Sequence, residues 1–273
     1  MTDCAARWFV APAGWTPEHA NPFSAEGDYG TGWSCFQVSA ADDDVVRNGR
    51  RPSGLYVATC GRQTPRLAER LGDFLRYESD QGRKVIVDCL ETADAEVFIR
   101  EALAQTAQTT TIRPDDPRWV VHSTTREAWA AIEECGELRC AALLAAADAM
   151  PSVLGELLLG DPPDYAQHVA LGTVDAIGPE FVVACRQAGT MLPDPDTEYE
   201  PGVRLYFDAH RIIRDGLAVR DGLHTLKVRG RLTLQPYLVA AVAAEDLPPL
   251  STDQRWTTSL FLERANREFH RHV

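Results

Sequence analysis

The segment from Val203 to Ala241 constrains the fold more than any other part of this chain of 273 residues. It opens on Val203-Arg204-Leu205-Tyr206-Phe207, whose apolar, β-branched and aromatic content favours a strand. Asp208 follows as an N-cap for a short helix that carries Ile212 and Ile213 on its inner face. Gly216 ends that helix, Leu217 to Val219 begins a second extended segment, and Asp221-Gly222 is a hairpin signal. Thr225, Lys227 and Arg229 then alternate with Leu226 and Val228, as in a strand at a sheet edge. Pro236-Tyr237-Leu238 closes the unit ahead of the apolar run Val239 to Val242.

Upstream, Arg118-Trp119-Val120-Val121-His122-Ser123-Thr124 reads as a strand. It leads into a helix from Thr125 to about Cys135, with Ala128, Trp129 and Ile132 inward and Gly136 placed to end it. Ala141 to Gly160 is Ala- and Leu-rich and reads as helix broken by Pro151. His168 to Leu171 reads as a short strand, Pro179 to Arg186 as a short helix, and Met191 to Gly202 as an acidic exposed loop. A terminal helix is expected from Gln254 to Phe269, with Trp256, Leu260 and Phe261 packing back.

The order of these elements resembles the RNA 2′-phosphotransferase branch of the ADP-ribosyltransferase superfamily. The residues that carry the resemblance in the central segment are Leu205, Asp208, Ala209, Asp215, Gly216, Gly230, Tyr237 and Leu238. Members of the superfamily open the catalytic fold with a strand ending in His-Gly-Thr and a helix ending at Gly. The corresponding triplet here is His122-Ser123-Thr124, with serine in place of glycine. Phosphotransferases also carry an Arg-x-His-Val-His-Leu run. His168-Val169-Ala170-Leu171 keeps its first histidine, and Ala166 stands where the arginine would be. Arg186-Gln187-Ala188-Gly189 falls where relatives have a Gly-x-Arg-x-Gly-like turn.

The resemblance covers the second half alone and implies an ADP-ribosyltransferase-like split β-sheet domain there. With the small N-terminal α/β module read from the first half, an α+β chain is expected. It implies NAD as substrate, bound bent, with attack on the ribose C1″ through an oxocarbenium-like transition state that positioned polar groups stabilise. On this reading His122 and His168 are the catalytic candidates. The cofactor-binding candidates are His122, Ser123 and Thr124 at the ribose, Arg186 at the pyrophosphate and Tyr165 stacked on nicotinamide, with Tyr206 as a second stacking candidate. A guanidinium suits a pyrophosphate because it can donate two parallel hydrogen bonds. Each residue also has an ordinary reading: His122 as a strand-end residue, Arg186 as an ion-pair partner in an acidic stretch, Tyr165 and Tyr206 as core. The acceptor is unassigned and could be a small molecule, a protein or an RNA 2′-phosphate. The alternative is a catalytically inactive scaffold of the same fold that binds a protein partner.

The first half has a different character. Residues 1–33 are rich in Gly, Pro and Trp and read as an irregular arm pinned by Trp8, Trp15 and Trp33. Ser34 to Ser39, Leu55 to Thr59 and Val85 to Cys89 read as strands, with helices at Pro65 to Tyr77 and Ala93 to Gln105. An acidic turn is expected at Asp42-Asp43-Asp44. Alternating strands and helices predict a small mixed or parallel layer. The turn Cys60-Gly61-Arg62-Gln63-Thr64 is neither a GxGxxG nor a Walker loop, so no phosphate cradle is signalled. The polar stretch Thr106 to Pro117 is the natural boundary, giving domains 1–112 and 113–273.

Composition narrows the function classes. A net charge of −13 disfavours broad nucleic-acid binding, which needs clustered cations. Residues 151–200 hold nine acids and one basic residue, Arg186, whereas residues 201–273 hold eleven Lys or Arg against eight acids. That suits a small anionic ligand such as a dinucleotide. Seven cysteines without a CxxC pair predict reduced thiols and no metal site. No apolar run reaches the roughly 20 residues of a spanning helix, and the start MTDCAARWFVAPAGW lacks a signal-peptide pattern, so no membrane association and a cytoplasmic protein are expected. There is no G-x-S-x-G elbow, and Cys185 lies in an apolar run, which argues against a serine or cysteine hydrolase.

Overall fold

The computed structural model describes residues 7–41, 43, 46–89, 92–104, 110–147 and 161–273. Among them are seven α-helices and three β-sheets, a mixed α+β architecture. The chain forms two compact units. The first takes the described residues of 1–108 and 155–166 together with Arg220–His224, and the second takes the remainder.

In the first unit the order is β1 (Trp8–Val10), β2 (Trp33–Val38), β3 (Val46–Arg50), β4 (Tyr56–Cys60), α1 (Leu67–Asp80), β5 (Lys84–Asp88) and α2 (Thr92–Ala104). The sheet runs β1-β5-β2-β4-β3, parallel except for β3, which is antiparallel to β4. Trp8 to Val10, expected within an irregular arm, is instead a strand in register with Val85 to Val87. Three consecutive apolar residues satisfy the edge of β5, whose own Val-Ile-Val run is buried on both faces. Phe36, Val85 and Val87 face Leu71, Phe74, Leu75 and Ile99 of the two helices. Cys35, Val57 and Ile86, on the alternate positions, face Trp15, Tyr29 and Trp33. Asp42 and Asp44 of the expected acidic turn lie outside the described residues.

A buried charge cluster holds residues 161–166 to this unit. Arg83 donates to Glu78 at 2.6 and 2.9 Å and to Asp164 at 2.6 Å, and the Tyr77 hydroxyl donates to Asp164 at 2.7 Å. Arg220–His224 is likewise held to the unit by Arg70, which donates to the Gly222 carbonyl at 3.0 Å. Its turn is shaped by the buried Asp221, which accepts from the backbone N–H groups of Leu223 and His224 and from His224 Nδ1.

The second unit is built on β6 (Trp119–Thr124), α3 (Arg126–Cys135), β7 (Glu137–Arg139), α4 (Ala141–Ala146), β8 (His168–Thr173), α5 (Gly178–Ala188), β9 (Val203–Asp208), α6 (Ala209–Arg214), β10 (Ala218–Val219), β11 (Leu226–Arg229), β12 (Arg231–Thr233), β13 (Leu238–Ala243) and α7 (Thr258–Phe269). A six-stranded antiparallel sheet runs β10-β11-β8-β6-β9-β13, with β7 and β12 paired separately. Helix boundaries follow local chemistry. Thr125 caps α3 by accepting from Ala128 N–H, and Gly136, at φ 71°, ends it. Asp208 caps α6 through Arg211 N–H. The terminal helix starts at Thr258 and not at Gln254, because Thr257 is the cap and accepts from Leu260 N–H.

The two faces of this sheet bury different sets. Val120, Val169, Leu171, Leu205 and Phe207 lie with Leu138, Ile212, Ile213 and Leu232 on one face. Val121, Tyr206 and Val242 lie with Phe261 and Phe269 on the other. The rings of Tyr206 and Phe269 stack with centroids 4.1 Å apart. Lys227, expected on the polar side of an edge strand, is 1 % exposed, because β11 lies inside the sheet between β10 and β8. The expected helix beyond Ala147 falls largely on residues 148–160, outside the described residues. Among the described residues no helix is long and apolar enough to cross a membrane.

Candidate functional site at the divergence of β6 and β8

Strand β6 is central, with β9 on one side and β8 on the other. It stays in register with β9 from Trp119 to Thr124, but its pairing with β8 covers only Val120↔Thr173 and Val121↔Gly172. His122 is the first residue past the point where β6 and β8 separate. Its Nδ1 lies 3.2 Å from the carbonyl oxygen of Ala170 on β8. A carbonyl only accepts, so Nδ1 carries the proton and Nε2 presents an acceptor lone pair. Burial, reinforced by the Arg186 guanidinium and opposed by the Ala170 bond, lowers the His122 pKa to about 4. The imidazole is therefore neutral at physiological pH, a hydrogen-bonding group and not a charge.

Arg186, near the end of α5, presents surface to solvent, yet the protein around its guanidinium lowers its pKa through desolvation. It is the residue whose charge His122 senses. Thr124 is 3 % exposed and shares the His122 face by strand alternation. Its carbonyl is approached so closely by Gly202 that a Cβ there would lie 1.8 Å from the oxygen.

Ser123 points to the opposite face and enters a buried network. Its hydroxyl donates to Glu180 Oε1 through a very short bond, and Arg204 Nη1 donates to the same oxygen at 2.8 Å. Tyr199 donates to Glu180 Oε2 at 2.7 Å, and Arg204 Nη2 donates to the Val174 carbonyl at 2.6 Å. Both Glu180 and Arg204 are 0 % exposed. Burial first, then the Glu180 carboxylate, push the Tyr199 hydroxyl well above its ordinary pKa.

His168 opens β8, and strand alternation places it with Gly172 on the α5 side of the sheet, opposite His122. Tyr165 belongs to the first unit. It is 8 % exposed there, edge-on to Tyr56, Tyr77 and His224. Tyr206, in β9, donates to Asn266 at 2.9 Å within the α7 interface. Of the sequence candidates, Arg186 influences His122 through its charge, His168 is half-buried at the start of β8, and Ser123, Thr124, Tyr165 and Tyr206 are buried. Sequence reasoning missed Glu180, Arg204 and Tyr199. The signal was available: an arginine between Val203 and Leu205 in a strand buried on both faces requires a buried carboxylate partner.

Elsewhere in the unit a concavity of about 400 Å³ is lined by Arg126, Trp129, Glu133, Ala241, Glu245 and Asp246, among others. No group of His, Cys, Asp and Glu suited to a metal ion occurs among the described residues. Comparison with family models, curated proteins and solved structures gives no match for this chain.

Proposed function

We propose that the second unit binds NAD at the divergence of β6 and β8 and transfers its ADP-ribosyl group to an acceptor. The observation that carries this reading is the state of His122: neutral, locked by Ala170 in one tautomer, with Nε2 as an acceptor and Arg186 as the neighbouring charge. A fixed acceptor suits a ribose hydroxyl, and a guanidinium suits a pyrophosphate. Bound NAD supplies the scissile nicotinamide–ribose bond. The residues of this chain contribute orientation and a polar setting for the developing oxocarbenium charge. A pKa of about 4 makes His122 a positioning group and not a proton donor at neutral pH.

One observation favours the second reading, a protein-binding scaffold of the same fold. Ser123, where relatives have glycine, is held by the Glu180–Arg204 pair. The sequence pattern of residues 119–136 and 203–238 supports both readings equally, since it concerns the fold.

Calorimetry and thermal shift with NAD on wild type, His122→Ala and Arg186→Ala separate them. Transfer predicts saturable binding that weakens at least about tenfold in each variant, and nicotinamide release in the presence of an acceptor. Absence of NAD binding to the wild type would sink the transfer reading and leave the scaffold.

A further inference from the structure

Strand β13 forms one edge of the six-stranded sheet, and its outward backbone groups can be assigned from the pairing. Asp208 N–H donates to the Tyr237 carbonyl at 2.9 Å, so the N–H groups of Asp208, Tyr206 and Arg204 point toward β13. Their partners across the ladder, Ala240 opposite Tyr206 and Val242 opposite Arg204, form the hydrogen-bonded pairs. Ala241 and Ala243, opposite Leu205 and Val203, therefore direct their N–H and C=O groups away from the sheet. The Ala243 N–H confirms the phase, since it donates to the Asp246 carboxylate at 2.8 Å.

This edge carries few of the features that discourage strand addition. Leu238–Ala243 has no charged residue and no proline, and Val239 and Ala241 are exposed. A register irregularity between Leu238 and Ala240 twists only its first end. By contrast, β10, at the other edge, is two residues long.

The concavity of about 400 Å³ lies against this edge, with Ala241 and Ala243 among its lining residues. Trp129 of α3 gives it an aromatic wall, and Glu133, Glu245 and Asp246 give it three carboxylates. Arg126 is the single cation in the lining and is already paired with Glu245. The local balance is acidic, on a chain of net charge −13. A second copy seated edge to edge would bring two such acidic rims together, which disfavours it.

We propose that the open edge of β13 and the adjoining cleft form a docking site for an extended, arginine-bearing peptide segment of a partner protein. The segment adds as a strand, taking the outward groups of Ala241 and the Ala243 carbonyl. One of its guanidinium groups enters the cleft toward Trp129, Glu133 and Asp246. The site is distinct from the divergence of β6 and β8, so it stands whether or not NAD binds.

The test uses the full chain and a fluorescein-labelled peptide alternating Arg and Val, about six residues long, the length of an ordinary strand. Saturable anisotropy binding is expected, weaker by at least about tenfold when alternate backbone nitrogens are methylated and when Arg is replaced by Glu. Ala241→Arg, which places a cation in the cleft without altering the backbone, should abolish binding. Glu133→Arg, an exposed change on α3, should weaken it with no loss of thermal stability. The proposal is overturned by no binding of the Arg peptide, by equal binding of the N-methylated peptide, or by binding that survives Ala241→Arg. It is also overturned by a concentration-dependent dimer that Ala241→Arg dissolves, which would make a second copy the occupant.

Discussion

Arg204 and Glu180 form an ion pair at 2.8 Å with both side chains fully shut off from solvent. The pair joins the start of β9 to α5, and Ser123, Tyr199 and the Val174 carbonyl supply further hydrogen bonds to it. Removing one member leaves an uncompensated buried charge, a loss of about 3–5 kcal/mol, whereas replacing both by apolar groups can be close to neutral. Arg204→Leu should therefore sharply lower the urea midpoint of the second unit, and Arg204→Leu with Glu180→Leu should recover most of it. A double variant as unstable as the single one would mean that the pair contributes through the hydrogen bonds of Ser123 and Tyr199, not through charge balance.

Gly202 offers a steric test beside the His122 strand. A Cβ at this position meets the Thr124 carbonyl oxygen at 1.8 Å and its carbon at 2.8 Å, both backbone atoms that a side-chain rotation cannot move. Gly202→Ala should cost about 2 kcal/mol or more by chemical denaturation. Gly136→Ala is the comparison, since a Cβ there meets open space and only its φ of +71° is strained. It should cost about 1 kcal/mol, with the difference measuring the clash itself.

These two sites show what the sequence could and could not disclose. Asp208 was readable as a cap and Gly136 as a helix end because both signals are local. The Asp208 carboxylate accepts from Arg211 N–H, and Gly136 takes the left-handed φ that closes the last turn, whereas Thr125, expected as the first helical residue, is the cap of α3. The β6, β8 and β9 strands were readable from apolar content. Trp8 to Val10 was not, since three residues carry no period and their strand exists only because β5, more than seventy residues later, offers an edge. Lys227 misled for a related reason, because alternation does not reveal whether a strand lies at an edge or inside a sheet. At the candidate site His122 was identifiable as a strand-end residue. Its tautomer and its neutrality depend on Ala170 and Arg186, which reach it through tertiary structure alone.

In the first unit, Tyr77 and Arg83 converge on Asp164. Burial pushes the Asp164 carboxyl up, but the hydrogen bonds from Arg83 and Tyr77 outweigh it and leave the pKa below the ordinary value. Tyr77→Phe deletes a hydrogen bond to a charged group and should cost about 2 kcal/mol. Arg83→Met strands two carboxylates, Glu78 and Asp164, and should cost about 3–5 kcal/mol. Limited proteolysis gives a second readout: cleavage near residues 161–166 should accelerate in Arg83→Met far more than in Tyr77→Phe. Equal protection in both variants would show that other contacts hold this segment.

His122 makes the final case, because its burial has a consequence for stability that is independent of any ligand. Its folded pKa is about 4, below the ordinary value of 6.5. Between these two values the unfolded chain binds a proton that the folded chain refuses. Stability is therefore full above about pH 6.5, falls as the pH drops toward 4, and levels off below that, with the loss reaching at most about 3 kcal/mol. Urea denaturation from pH 7.5 to 4 on wild type and His122→Gln isolates the contribution of this residue. Glutamine can still donate to the Ala170 carbonyl but does not titrate, so the difference between the two curves should narrow as the pH falls through this window. A difference that stays constant with pH would mean that the imidazole protonates as readily in the folded protein as in the unfolded chain. That outcome would also remove the fixed acceptor on which the NAD-binding reading depends.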